Sequence, residues 1–154
     1  MLPEPLLGAI SAEMSAARRD ARSIALFTER YADFDLAAAY AVAARLHAAR
    51  LAQGSIPVGR KIGFTNAEMW QQYGVLHPIW GYMYQHGLAR ARARPHVCSL
   101  TGFVEPRIEP EIALHLRCAP PRGAGVEALL ECVDWCAHGF EIVQSHFPGW
   151  RFRA

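Results

Sequence analysis

The chain has 154 residues, 52% of them hydrophobic, with 16 basic and 14 acidic side chains for a formal net charge of +2. That is enough apolar mass for one buried core and excludes a disordered chain, while a charge so near zero gives no electrostatic case for a nucleic-acid or membrane-surface partner. The longest apolar runs, such as LAAAYAVAA from Leu36, are alanine-rich and far too short to span a bilayer, and no basic, hydrophobic signal pattern opens the chain, so a cytoplasmic protein is expected.

Residues 4–18 carry Leu6, Leu7, Ile10, Met14 and Ala17 at helical spacing. A second helix is better marked. Asp35 stands at its N-cap, Leu36, Tyr40, Ala43, His47 and Leu51 form its stripe, and Gly54 stops it. His47 on that stripe reads as a packed histidine and not as a ligand. Pro57-Val58-Gly59 then leads into a short strand over 60–64, which carries Lys61. Thr65-Asn66-Ala67-Glu68 has the form of a capping box, opening a short helix that Gly74 ends and that Trp70 and Tyr73 anchor to the core.

Ile79-Trp80-Gly81 and Tyr82-Met83-Tyr84 are aromatic and β-prone, and a strand is expected over 96–100. Between them the basic stripe LARARAR, Leu88 to Arg94, reads as a solvated edge, because no aromatic residues interleave it for stacking on bases. An acid-bearing strand or strand pair follows over 103–116, and Ala119-Pro120-Pro121-Arg122-Gly123 is a loop. A third helix is predicted over 126–138, with Leu129, Leu130, Val133 and Cys136 inward and Gly139 as its stop. The last strand is 140–147, FEIVQSHF, and Pro148-Gly149 turns it. Helices first, then strands with one intervening helix, predict an α+β fold and not a doubly wound sheet.

Cys98, Cys118, Cys132 and Cys136 contain no C-x-x-C pair and no histidine at zinc-ligand spacing, so neither a zinc site nor disulfides are expected. Cys132 and Cys136 stand one helical turn apart and read as buried thiols. No phosphate-binding glycine loop is present, which leaves nucleotide binding without support.

The chemistry concentrates in EPRIEPEIAL, Glu105 to Leu114, where carboxylates sit among Ile, Pro and Leu. On a strand, side chains alternate faces, so Glu109 and Glu111 point the same way about 7 Å apart while Ile108, Pro110 and Ile112 take the other face. Two carboxylates on an apolar strand repel and lose hydration, which calls for a cation or a shared proton. Glu141, between Phe140 and Ile142, repeats the pattern. Three such groups form an all-oxygen, anionic set suited to a hard divalent cation, Mg²⁺ or Mn²⁺; the competing reading is simple surface glutamates on an edge strand. Lys61, in VGRKIGFTN, is the single lysine in a chain that otherwise uses arginine; it reads either as a surface lysine or as an ammonium able to give up a proton, which arginine cannot imitate.

PRIEPEIALHL, GRKIGFTN with YGVLHPIWG downstream, and HGFEIVQSHFPGWRF together resemble the 2-keto-4-pentenoate hydratase and 4-oxalocrotonate decarboxylase branch of the fumarylacetoacetate hydrolase superfamily, in the same order from about Phe34 onward. The resemblance implies N-terminal helices followed by part of a fumarylacetoacetate hydrolase-like mixed β-roll. It implies a divalent metal held by Glu109, Glu111 and Glu141, and Lys61 in the site as catalytic and substrate-binding group. The activity implied is metal-dependent hydration of a 2-hydroxy-2,4-dienoate or 2-oxo-enoate such as 2-keto-4-pentenoate, in aromatic catabolism. The alternatives are 2-oxo-acid decarboxylation, acylpyruvate hydrolysis, or a non-catalytic chain that folds or acts only with a full-length partner. The implied partners are a small 2-oxo or 2-hydroxydienoic acid and a homo-oligomeric or related subunit.

Two departures stand out. Several family members carry an acidic residue in the segment matching PIWG, where this chain has Ile79, and family members continue past W-R-F with further strands. Residues 1–55 are therefore expected to form a helical region and 56–154 a partial catalytic domain without its C-terminal part.

Overall fold

The computed structural model describes residues 2–91 and 95–152. The last three residues of the LARARAR stripe fall outside the described residues. The chain divides into two units, Met1–Glu105 with Ser145–Ala154, and Pro106–Gln144.

The first unit opens with helix α1 (Glu4–Arg19), followed by the single turn α2 (Phe27–Arg30) and helix α3 (Leu36–Ala52). The apolar spacing of α1 acts as expected: Leu7, Ile10 and Ala17 are buried with Leu2, Ile24, Phe27, Ala38 and Val42 in one cluster. Ile10 is 1% exposed. Asp35 caps α3, its carboxylate accepting from the Ala38 N–H at 2.8 Å, a contact worth about 0.5–2 kcal/mol in comparable helices. The Arg30 guanidinium clamps α2 to α1 by donating to both Glu13 oxygens at 2.7 and 2.9 Å. The returning segment seals this core: the Ile24 N–H donates to His146 O at 2.7 Å, and Phe147 meets Phe27 edge-on at 5.9 Å.

Strand β1 (Pro57–Gly63) pairs antiparallel with β2 (Ile79–Tyr84). Trp80, Tyr82 and Tyr84 share one face of this pair and turn toward α3. Tyr40 stacks on Trp80 at 5.3 Å; His47 stacks on Tyr82 at 3.7 Å and places Nδ1 2.8 Å from the Tyr84 hydroxyl. His47 is thus a packed histidine, as its place on the stripe implied. Between the strands a 3₁₀ turn (Ala67–Met69) runs into the one-turn helix α4 (Trp70–Tyr73), and Gly74 ends it at φ 68°. The cap is Asn66 and not Thr65: its side chain accepts from the Glu68 N–H at 3.0 Å. Trp70 and Tyr73 are half-buried, with the Trp70 indole N–H donating to Phe64 O at 2.7 Å. The strand expected over 96–100 does not form; its β-prone residues have no pairing strand, and Val97 is exposed.

The second unit is a long antiparallel hairpin. Strand β3 (Arg107–Leu116) pairs along its whole length with β4 (Val133–Val143), and α5 (Val126–Glu131) lies in the connection. The predicted third helix is therefore cut to six residues, and the stretch read as its second half is strand. Ten register pairs with β3 outweigh the local helical spacing of Val133 and Cys136, since propensity is a weak preference beside a continuous ladder. Gly139 is a mid-strand residue and not a helix stop, and the final strand ends at Val143. Cys132 is buried at the end of α5, whereas Cys136, predicted to be buried, lies exposed on β4.

Candidate metal centre

The three glutamates meet in the hairpin. Glu109 and Glu111 lie two residues apart on β3, and the register sets Glu109 directly opposite Glu141 and Glu111 directly opposite Gly139 on β4. Directly opposed residues share a sheet face, so all three carboxylates stand on one side of the hairpin. Pro110 between Glu109 and Glu111 has no N–H to give to a ladder; among the described residues β3 has a neighbour on one side only, where proline is tolerated. The opposite face is apolar, with Ile108 opposite Ile142 and Pro110 opposite Phe140.

Each glutamate is half-buried, and one carboxylate oxygen from each lies within 4.8 Å of the others. Like charges at that separation repel by a few kcal/mol per pair at an effective dielectric of about 20, and a divalent cation turns that repulsion into shared attraction. An octahedral ion with metal–oxygen distances near 2.1 Å holds neighbouring oxygens about 3 Å apart. Three carboxylates and no nitrogen or sulfur donor fit a hard cation, and this is the one grouping of three or more His, Cys, Asp and Glu ligands among the described residues.

Farther along the same face, His115 stacks on its cross-strand neighbour Trp135 at 4.9 Å with Nδ1 3.2 Å from the Asp134 carboxylate. No spacing rule in the sequence singled out this exposed group. Lys61 belongs to the first unit. It sits on β1 opposite Gly81, on the face turned away from the Trp80 and Tyr82 rings. A β-carbon placed at Gly81 would lie 3.6 Å from Lys61 Cγ, so the missing side chain there gives the lysine stem room along the strand.

An α+β chain carrying three convergent carboxylates on a β-hairpin defines a fold with a candidate hard-metal centre, and comparison with known proteins gives it relatives. No family model matches the chain. It is 32% identical over 146 residues to 2-keto-4-pentenoate hydratase 1 of Dechloromonas aromatica (strain RCB), covering 94% of this chain and 54% of that protein. It is 30% identical over 144 residues to 2-hydroxyhexa-2,4-dienoate hydratase of Comamonas testosteroni, covering 89% and 52%. The fold matches 4-oxalocrotonate decarboxylase of Pseudomonas putida G7, solved with magnesium and adipate, at TM-score 0.86 and 20% identity over 99% of this chain and 57% of that one. The same enzyme solved with calcium and acetate gives TM-score 0.87. The homologues of this chain are thus 2-keto-4-pentenoate hydratases and 4-oxalocrotonate decarboxylase, the branch its three motifs resemble. The chain spans about half the length of the curated relatives it matches.

Proposed function

We propose that this chain carries the metal-binding part of a hydro-lyase that adds water to a 2-hydroxy-2,4-dienoate or 2-oxo-enoate such as 2-keto-4-pentenoate, in the breakdown of aromatic compounds. The observation that carries the reading is the convergence of Glu109, Glu111 and Glu141 on one strand face. Hydratase homologues give it the substrate class. In this reading 1–55 is a helical region, 56–154 is part of the catalytic domain, and the protein is cytoplasmic and works as a homo-oligomer or with a related subunit.

Glu109, Glu111 and Glu141 would hold Mg²⁺ or Mn²⁺. Such an ion, when bound, polarises a 2-oxo group and stabilises the enolate that forms from it. The glutamates would set the ion's position. Lys61 is the group assigned to the proton or to the substrate carboxylate. An ammonium serves both roles, because it can bind an anion while charged and pass a proton when its basicity is lowered.

One observation favours a second reading, that the chain acts only with a full-length relative: the exposure of Ile108, Ile112 and Phe140 on the apolar hairpin face. Calorimetric titration of Mg²⁺ and Mn²⁺ into the purified chain, with and without oxalate as a 2-oxo-acid mimic, separates them. Saturable binding that tightens with oxalate supports the first reading and justifies assaying dienoate hydration. A folded chain that binds neither metal leaves the second.

A further inference from the structure

The two register pairs at the centre of the hairpin form a block with four corners: Glu109 opposite Glu141, and Glu111 opposite Gly139. Three corners carry carboxylates. At the fourth, a β-carbon placed on Gly139 would find no atom within 4 Å, so this corner is open space. Any other residue at position 139 would send its side chain to the same face as the three glutamates, beside Glu141 and across from Glu111. The open corner thus lies beside Glu141 on β4 and across from Glu111 on β3 in register. Backbone freedom does not explain the glycine, because β4 is regular here and Gly139 has no positive φ. A glycine inside a strand weakens it, and one accepted cause is close approach of a ligand.

We infer that Gly139 is a specificity-determining position: its missing side chain keeps open the side of the ion from which the two chelating oxygens of a 2-oxo acid arrive. The inference rests on the metal reading of the three glutamates and adds the place where substrate meets the ion. The glutamates would supply three ligands to the ion, and a bidentate acid would need two further positions free of protein. The open corner supplies that space next to the ligands without removing one of them.

The test is a graded series, Gly139→Ala, Gly139→Val and Gly139→Leu, titrated with Mn²⁺ alone and with Mn²⁺ plus oxalate, with circular dichroism as the check on folding. Since the added β-carbon meets no atom within 4 Å, Mn²⁺ affinity is expected to stay within about twofold of wild type at Ala. The tightening by oxalate should fall as the side chain grows, by about tenfold at Val, equivalent to the loss of one good contact. Should Val or Leu prevent folding, Ala against wild type carries the same comparison at smaller size. Full oxalate tightening across the folded members overturns the inference and leaves the metal centre intact. Loss of Mn²⁺ affinity in step with side-chain size also overturns it, because Gly139 would then shape the ligands and not the approach. A wild-type chain that binds no Mn²⁺ sinks the metal reading itself, and this inference with it.

Discussion

The two units solve the problem of an apolar residue in opposite ways. In the first, Ile10 is 1% exposed inside a cluster drawn from α1, α2, α3 and their connections. In the second, Ile112 is 69% and Phe140 71% exposed on a hairpin whose glutamate face is the better covered of the two. The buried apolar cluster lies in the helical unit, while the hairpin is held by its ladder and carries the three glutamates. A two-stranded hairpin is marginal by itself in water, so the second unit offers an apolar face to whatever covers it.

The sharpest way to break this comparison is one substitution made in both places. Ile10→Ala is expected to cost about 2–5 kcal/mol in chemical denaturation, the range for deleting a fully buried aliphatic side chain. Ile112→Ala should stay within about 0.5 kcal/mol under the same conditions. Equal losses would mean that the hairpin face is covered in solution. Next in size, Glu109→Ala removes one of three ligands and should weaken Mn²⁺ binding by about a hundredfold or more while leaving thermal stability nearly unchanged. Retained affinity would end the assignment of this strand as a metal support. In an assay of dienoate hydration, Lys61→Ala should lower turnover by about a hundredfold, the low end of what a positioned acid or base contributes, with Mn²⁺ affinity intact. An unchanged rate would return Lys61 to the surface.

The smallest effect belongs to the clamp between α1 and α2. Hydrogen bonding to Arg30 holds the Glu13 carboxyl below its ordinary pKa. A carboxyl whose folded pKa is depressed adds stability above its unfolded pKa and loses it as pH falls through the folded value. Glu13→Gln should therefore lower the melting temperature slightly at neutral pH, and the difference should close on acidification below the carboxylate range. A gap that persists in acid would assign the clamp to packing and not to charge.

What the sequence made legible follows the range of each interaction. Asp35 with the stripe after it predicts α3, because capping and helical spacing act within a few residues. The alternation of Glu109 and Glu111 against Ile108 and Ile112 is equally local, and it places two ligands on one face before any partner strand is known. The failures are pairing errors. Val133 and Cys136 satisfy a helical spacing as well as a strand, and only the ladder to β3, formed across the loop and α5, decides between them. Val97 and its neighbours have strand-forming side chains but no strand to meet. The convergence of Glu141 with the other two depends on the 109-to-141 register, which no local pattern contains; the sequence singled out Glu141 by its place between Phe140 and Ile142, and the resemblance implied the same three residues. Gly139 was hidden by the same error, since a glycine read as a helix stop is not asked what it faces.

Pro110 acts on the centre through the backbone. Its ring fixes its own φ and confines Glu109, the residue before it, to extended conformations. The two β3 carboxylates are thereby held at strand spacing before any ion arrives, and less chain freedom is lost when one binds. The dipeptide step between Glu109 and Glu111 is a rigid spacer, and if the pair holds an ion, its affinity would depend on that rigidity as well as on its charge.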